Sequence, residues 1–430
     1  MKAKIIPFIA ILSAATIFFY SCDDETFREY EGNAPVYMTY PDLRAAVKNL
    51  QNVELENPGK IYYKDNYIFI VEELKGIHVY DNTDPAAPVK KSFVNVPGVV
   101  DISISGNTLY ADSFVDLVIL DVQDISTIRE TGRVKDALPY TVPATGNELP
   151  TAYVDSKKGV VIEWEVKTIR EKVHEYTNPW PIFWRKDGIA FLSEANASGA
   201  SSGVSGSGVG FGGSMARFGI KGNVLYIVDV NSLKIFDITN KTGPVKAGDF
   251  YPGWNIETMF LSGNNMFLGT TTGMVIYDIS NPLVPTSRTF FTHARSCDPV
   301  IVDDTLAYVT LRTGTTCGGS ANCLDIVNIK NITQPSLLVT FAMTNPHGLG
   351  KDGDLLFICD GNAGLKIFDA SDPRTLGNKL LYSYPSINAY DVIPIGDILV
   401  MIGDNGLYQY SYSNIQNITL LSKIEVKKKQ

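Results

Sequence analysis

Short apolar strings that end in Asp, Asn or Ser punctuate this chain. Gly76–Asp81 reads GIHVYD, Leu117–Asp121 LVILD, Leu233–Asp237 LKIFD and Met274–Asp278 MVIYD. Leu324–Asn328 LDIVN, Leu365–Asp369 LKIFD and Leu407–Ser411 LYQYS continue the series. Each is too short for a helix and is bounded by turn residues, so each predicts a buried strand. Around them the pattern repeats. In Ala216 to Phe250 an alternating strand ARFGIK meets the tight-turn pair Gly222-Asn223, then come the apolar VLYIVDV, LKIFDI, the turn TNKTGP and the exposed VKAGDF. Gly106-Asn107, Gly263-Asn264, Gly353-Asp354 and Gly396-Asp397 mark the same hairpin elsewhere. Asp237, Asp278 and Asp369 stand where a side chain can bond a backbone N–H two residues on and start the next turn.

The last residues of the seven strings are separated by 40, 116, 41, 50, 41 and 42 positions. A period near forty-one is that of a four-stranded propeller blade. One such sheet cannot bury both faces, so neighbours must stack, and radial closure disposes of the exposed edges. The expectation is an all-β fold, a β-propeller of four-stranded blades over 59–426. The 116-residue step holds one more strand pair, TAYVDSKKGVVIEWEV at 151–166, then TNPWPIFW and the Gly/Ser run 197–214. Eight blades are expected, the third incomplete, with seven as the alternative. Residues 23–58 read as a tether with a short helix at 42–50, where Leu43, Ala46, Val47 and Leu50 share a face, and 427–430 as a basic tail.

The strings resemble those of the LVIVD-repeat family of bacterial and archaeal surface proteins, with LVILD at 117–121 nearest the signature. The resemblance implies a propeller and brings no assigned activity with it. WD40 and kelch signatures are absent.

The first twenty-two residues change the picture of where the chain resides. Lys2 and Lys4 precede an apolar run, Ile5 to Tyr20, which is followed by Ser21-Cys22. This resembles a bacterial lipoprotein leader, 1–22, in which Cys22 becomes the lipidated first residue. The acidic DDETF that follows is similar to surface-export signals of Bacteroidetes-type lipoproteins. A lipid-anchored outer-membrane protein, exposed at the cell surface, is therefore expected.

Composition excludes one class of partner. A net charge of −9 argues against nucleic acid, whose phosphates require clustered Lys and Arg. Apolar residues make up 45% of the chain, as in a globular protein. Cys317 and Cys323 flank GGSAN in an exported chain, so a disulfide is expected there. Cys297 and Cys359 read either as a pair or as small buried thiols.

Catalytic motifs do not survive their context. GASSG at 199–203 and GVGFGG at 208–213 match the nucleophile-elbow and dinucleotide patterns, but each mechanism needs a strand before and a helix after, and here Gly and Ser surround both. The run reads instead as a loop over one face of the disc. The four histidines show no metal-ligand spacing, so no metal and no cofactor are expected. His78 lies within a third strand and reads as a packed residue.

In a propeller the connections between blades and the loops between second and third strands share one face. The connections contribute Asp101, Arg217, Trp254, Glu257, His293, Arg295, Asp298, His347, Tyr390 and Asp391. The loops add Asp112, Asp229, Asp360 and Asp404. Their convergence predicts a polar binding site for a protein or glycan partner at the channel mouth, although loops are polar in any case. A rival reading is a hydrolase or lyase, with His293 or His347 as base beside Asp298 or Asp391 and an Arg as anion stabiliser. A third is an architectural subunit.

Overall fold

The computed structural model describes residues 27–172, 211–229, 231–252, 256–270, 272–293, 299–313 and 321–427. Seven four-stranded antiparallel sheets succeed one another at 58–95, 102–134, 218–250, 256–292, 300–342, 349–384 and 389–425, here blades 1 to 7. The first strand of each lies innermost, against the first strand of the next, and blade 7 packs on the first strand of blade 1 to close the ring. The fold is a seven-bladed β-propeller.

The repeated string behaves as its pattern dictates. In blade 3, Leu233, Ile235 and Phe236 are fully buried, each contributing about 2 kcal/mol of apolar burial. Asp237 then accepts from the Thr239 N–H at 2.8 Å, and Asp278 and Asp369 do the same for Ser280 and Ser371 at 2.8 and 3.0 Å. In every blade the pairing of third and fourth strands shifts by one residue beside the motif, a bulge that increases twist where the blade faces outward. The core is a series of seams between neighbours. Phe69, Val79, Ile104 and Leu109 fill the first, and Ile61, Ile70, Val400 and Leu407 fill the last.

Three expectations are corrected. The stretch 151–166 is not part of an eighth blade: Val160–Lys172 pairs antiparallel with Phe27–Met38 as a two-stranded ribbon outside the ring. Its alternating pattern needed a strand partner, and 27–38 supplied one. The same pairing removes the tether, since 27–38 is a strand. The helix is Tyr40–Ala45, capped by Thr39, and its Leu43 is buried on Phe114 and Val115 of blade 2. Leu50 belongs to a short strand, Lys48–Leu50, that extends the outer edge of blade 1. The basic tail is tied down at its start, where the Lys427 N–H donates to the Leu55 carbonyl at 2.7 Å.

The Gly/Ser run falls mostly outside the described residues, as do both motif matches apart from Phe211–Gly213. Its end does not lie over a face. Phe211–Gly212 pairs with Tyr62 and Tyr63 on the inner side of blade 1's first strand, which puts it within the central channel. Gly212 to Ala216 are buried there.

Candidate functional site

In blades 1, 2, 6 and 7 the end of the second strand carries a carboxylate that reaches back to the segment leading into its own blade. Asp112 Oδ1 accepts from the N–H groups of Val100 and Asp101 at 2.8 and 2.9 Å. Asp360 takes those of Thr344 and Asn345 at 3.0 and 2.7 Å, and the Lys366 ammonium besides. Asp404 accepts from Asn388 Nδ2 at 2.7 Å and from the Tyr390 hydroxyl. Glu72 performs the same task in blade 1, on Glu56 and Asn57 at 3.1 and 2.7 Å. A glutamate beside an apolar strand carried no turn signal, and only the register aligned it with the aspartates. Asp229 holds its own loop, accepting from Asn231, Ser232 and Lys234.

At the axis the predicted residues form two groups. On blades 1 to 3, Asp101 Oδ2 accepts from the backbone N–H groups of Arg217 and Phe218 at 2.6 and 3.0 Å and meets Lys60 Nζ at 3.3 Å. The Arg217 guanidinium donates to the Val228 carbonyl at 2.8 Å. On blades 5 to 7, the His347 ring lies edge-on to Tyr390, with centroids 5.6 Å apart, and Nε2 faces Asn345 Nδ2 at 3.2 Å and Arg312 Nη1 at 3.5 Å. Both neighbours are donors, so Nε2 accepts and Nδ1 carries the hydrogen. Burial, and then Arg312, hold the imidazole well below its ordinary pKa. Burial pulls the Arg312 guanidinium down to about 10, against the attraction of Glu257. Glu257 itself is buried at the start of blade 4.

Ser214 ties the channel segment to blades 6 and 7. Its N–H and hydroxyl donate to Asp391 Oδ1 at 3.2 and 3.3 Å, and its oxygen accepts the Leu349 N–H at 2.6 Å. Ala216 accepts from the Met259 N–H of blade 4 at 3.2 Å. The segment 212–216 is thus bonded to blades 1, 4, 6 and 7. Gly213 permits this close approach: a Cβ there would lie 1.8 Å from Asp391 Oδ2. Burial raises the Asp391 carboxyl to about 7 and that of Asp112 to about 6.

The structure therefore gathers Asp101 with Arg217, and His347 with Tyr390; Asp391 is bonded to Ser214, and Asp360 lies beside Asn345. His293 sits half-buried at the start of the connection from blade 4 to blade 5. Trp254, Arg295 and Asp298 lie outside the described residues, as do Cys22, Cys297 and Cys317. The expected Cys317–Cys323 disulfide has one partner outside the described residues; Cys323 and Cys359 are both free, buried thiols. Lys60, Ser214, Arg312 and Asn345 escaped the sequence reading, because nothing local says that their strands end at the axis. His78 is fully buried against Phe93 and lies 3.3 Å from Glu72. Among the described residues no group of three or more His, Cys, Asp or Glu is placed to hold a metal ion, and no helix is long and apolar enough to cross a membrane.

The LVIVD repeat matches residues 98–136, 212–251, 257–289 and 352–383, which are blades 2, 3, 4 and 6. No curated protein matches the sequence. Among solved structures the chain is similar to the computationally designed Ika8 protein, at 9% identity and a TM-score of 0.51, over 89% of this chain and 91% of that one. It is also similar to the periplasmic gluconolactonase PpgL of Pseudomonas aeruginosa, at 11% identity and a TM-score of 0.52, over 86% of this chain and 96% of that one. Identities this low carry the fold alone. The chain bears LVIVD repeats on a propeller frame.

Proposed function

We propose that this LVIVD-repeat propeller is a non-enzymatic binding scaffold, anchored to the outer membrane through a lipid on Cys22, exposed at the cell surface, and engaging a protein or glycan partner at its loop face. The observation that carries the reading is the closed axis. Gly212–Ala216 lie buried in the channel, and Asp101, Asp391, Lys60 and Arg217 beside it are engaged by backbone groups, by Ser214 or by one another. An imidazole base needs an oriented carboxylate and access to substrate. His347 has Asn345 and Arg312 as its neighbours instead and is buried.

Recognition then falls to side chains at the outer rim of that face. Tyr251, on the connection from blade 3 to blade 4, is 79% exposed, and an exposed phenol ring offers apolar area and a hydrogen bond together. The test is to screen the mature chain against glycans and cell-envelope fractions. The expected result is a binder whose affinity falls about tenfold in Tyr251→Ala with melting temperature unchanged. Turnover lost in His347→Ala or His293→Ala would establish the hydrolase reading instead. Membrane association that persists in Cys22→Ser would remove the anchor.

A further inference from the structure

On the face opposite the loops, each blade's first hairpin approaches the turn after the third strand of the next blade. Most of these seams are spanned by a side chain. The Tyr110 hydroxyl of blade 2 donates to the Lys241 carbonyl at 3.3 Å, and that of Tyr226 in blade 3 to the Pro282 carbonyl at 2.6 Å. Both acceptors stand four residues beyond the motif aspartate. In blade 7 a different strand does the work, and Gln409 Nε2 donates to Pro85 at 3.1 Å. Blade 6 places Phe357 against Tyr412, with centroids 5.1 Å apart.

Blades 1, 4 and 6 carry phenylalanine where blades 2, 3 and 5 carry tyrosine, with Phe267 facing Ile276 and Phe357 facing Ile367, and in blade 1 the place is taken by Phe69. Phe69 faces Val79 across the strands as Tyr110 faces Ile119 and Tyr226 faces Ile235. It therefore holds the tyrosine position without the hydroxyl, and Ile125, four residues beyond Asp121, receives no donor from it. The seam between blades 1 and 2 opens here into a half-enclosed cleft of about 400 Å³. That lies within the range of roughly 300–1,000 Å³ usual for small-molecule sites.

The lining specifies the ligand. Lys64 and Lys91 are matched by Asp65 and Asp124, so its formal charges cancel. Each charge is also occupied: Lys64 bonds Asp65, Lys91 meets Asp81 at 3.1 Å, and Asp124 accepts from Ser126 and Thr127. Among the described residues, the Tyr67 hydroxyl and the side-chain amides of Asn107 and Gln123 stay unengaged. Amides present a donor and an acceptor side by side, which match vicinal hydroxyls, and the Tyr67 ring supplies an apolar surface for C–H groups. We propose that this cleft binds a small neutral saccharide, one or two sugar units long, at a site separate from the loop face.

The mature chain would be titrated with glucose, galactose, N-acetylglucosamine and their β-linked dimers, with glucuronate and glucosamine as charged controls, by calorimetry and saturation-transfer NMR. The expectation is saturable binding of a neutral sugar in preference to the charged ones. Phe69→Tyr restores the bridging hydroxyl and closes the cleft, so it should weaken binding at least tenfold while keeping or raising the melting temperature. Gln123→Ala, at an exposed turn, should weaken it severalfold without affecting stability. No binding, equal binding of the charged sugars, or affinity unchanged in both variants would overturn the assignment. Tyr251→Ala should leave this binding intact, which separates its outcome from that of the loop-face reading.

Discussion

The side-chain amides of Asn82 and Gln409 lie 327 residues apart in sequence and exchange two hydrogen bonds, of 2.8 and 2.7 Å, across the seam between blades 1 and 7. Both residues are buried. Blade 7 is complete in itself, so the ring is closed by this clasp and by apolar packing rather than by a strand exchanged between the ends of the chain. Gln409→Ala leaves a buried amide unsatisfied and should cost about 2 kcal/mol in urea denaturation. The double variant with Asn82→Ala should cost less than the sum of the two single changes, because removing both partners orphans neither.

Gly213→Ala tests the filled channel. Its Cβ would collide with the Asp391 carboxylate, and Asp391 is hemmed in from the other side by Gly348, where a Cβ would lie 2.1 Å from Oδ1. A loss of about 1–3 kcal/mol is expected, whereas Gly222→Ala, at an open hairpin with φ of 60°, should cost only the strain of a positive φ.

Stability should fall as pH rises from about 4 to 7. Asp391 and Asp112, raised by burial to about 7 and about 6, bind protons more tightly folded than unfolded. Their contribution is therefore complete below the unfolded carboxyl value of about 3.9 and is lost as pH passes their folded values. For Asp391 the three hydrogen bonds fall on Oδ1, which leaves Oδ2 to carry the proton. Thermal melts of Asp391→Asn across this window should show a flatter profile than the parent. Glu72 and Asp116 act in the other direction. Burial opposes their ionisation, but their hydrogen bonds outweigh it and lower both, so their contribution is lost only below about pH 4.

The ribbon and helix dock through a charge. Asp116, fully buried, takes Arg44 at 2.9 Å and Arg133 at 3.1 Å. Arg44→Ala keeps the second pair, so the propeller should hold its melting temperature within a few degrees. Limited proteolysis should nonetheless cut within 27–46 severalfold faster, and an unchanged digestion pattern would show that apolar packing of Leu43 suffices.

Cys323 and Cys359 should resist thiol reagents in the native state. Burial, and then Asp325, push the Cys323 thiol up to about 11, and burial, with Asp391 and Asp360 nearby, raises Cys359 well above the ordinary thiol value. Both should react with an aromatic disulfide reagent only once urea unfolds the chain.

The strings ending at Asp81, Asp237 and Asp369 made the blades legible, because strand burial and the turn that follows are local matters. The residues Asp101, His347 and Asp391 were legible as members of one face for the same reason. Their bonding was not. Val160–Lys172 has the alternation of a blade strand, and no local signal states that its partner is Phe27–Met38. Ser214, at the end of a Gly/Ser run, showed nothing of its place against Asp391 and Leu349.

By itself, then, the sequence determined the unit: four strands, a tight hairpin, a buried apolar string and the Asx turn after it, repeated about every forty-one residues. The tertiary structure decided how many units close the ring, which segment fills its axis, and which seam stays open. Those outcomes depend on contacts between residues far apart in the chain, such as Asn82 with Gln409 or Gly213 with Asp391. Such contacts exist only once the whole circle of sheets has formed.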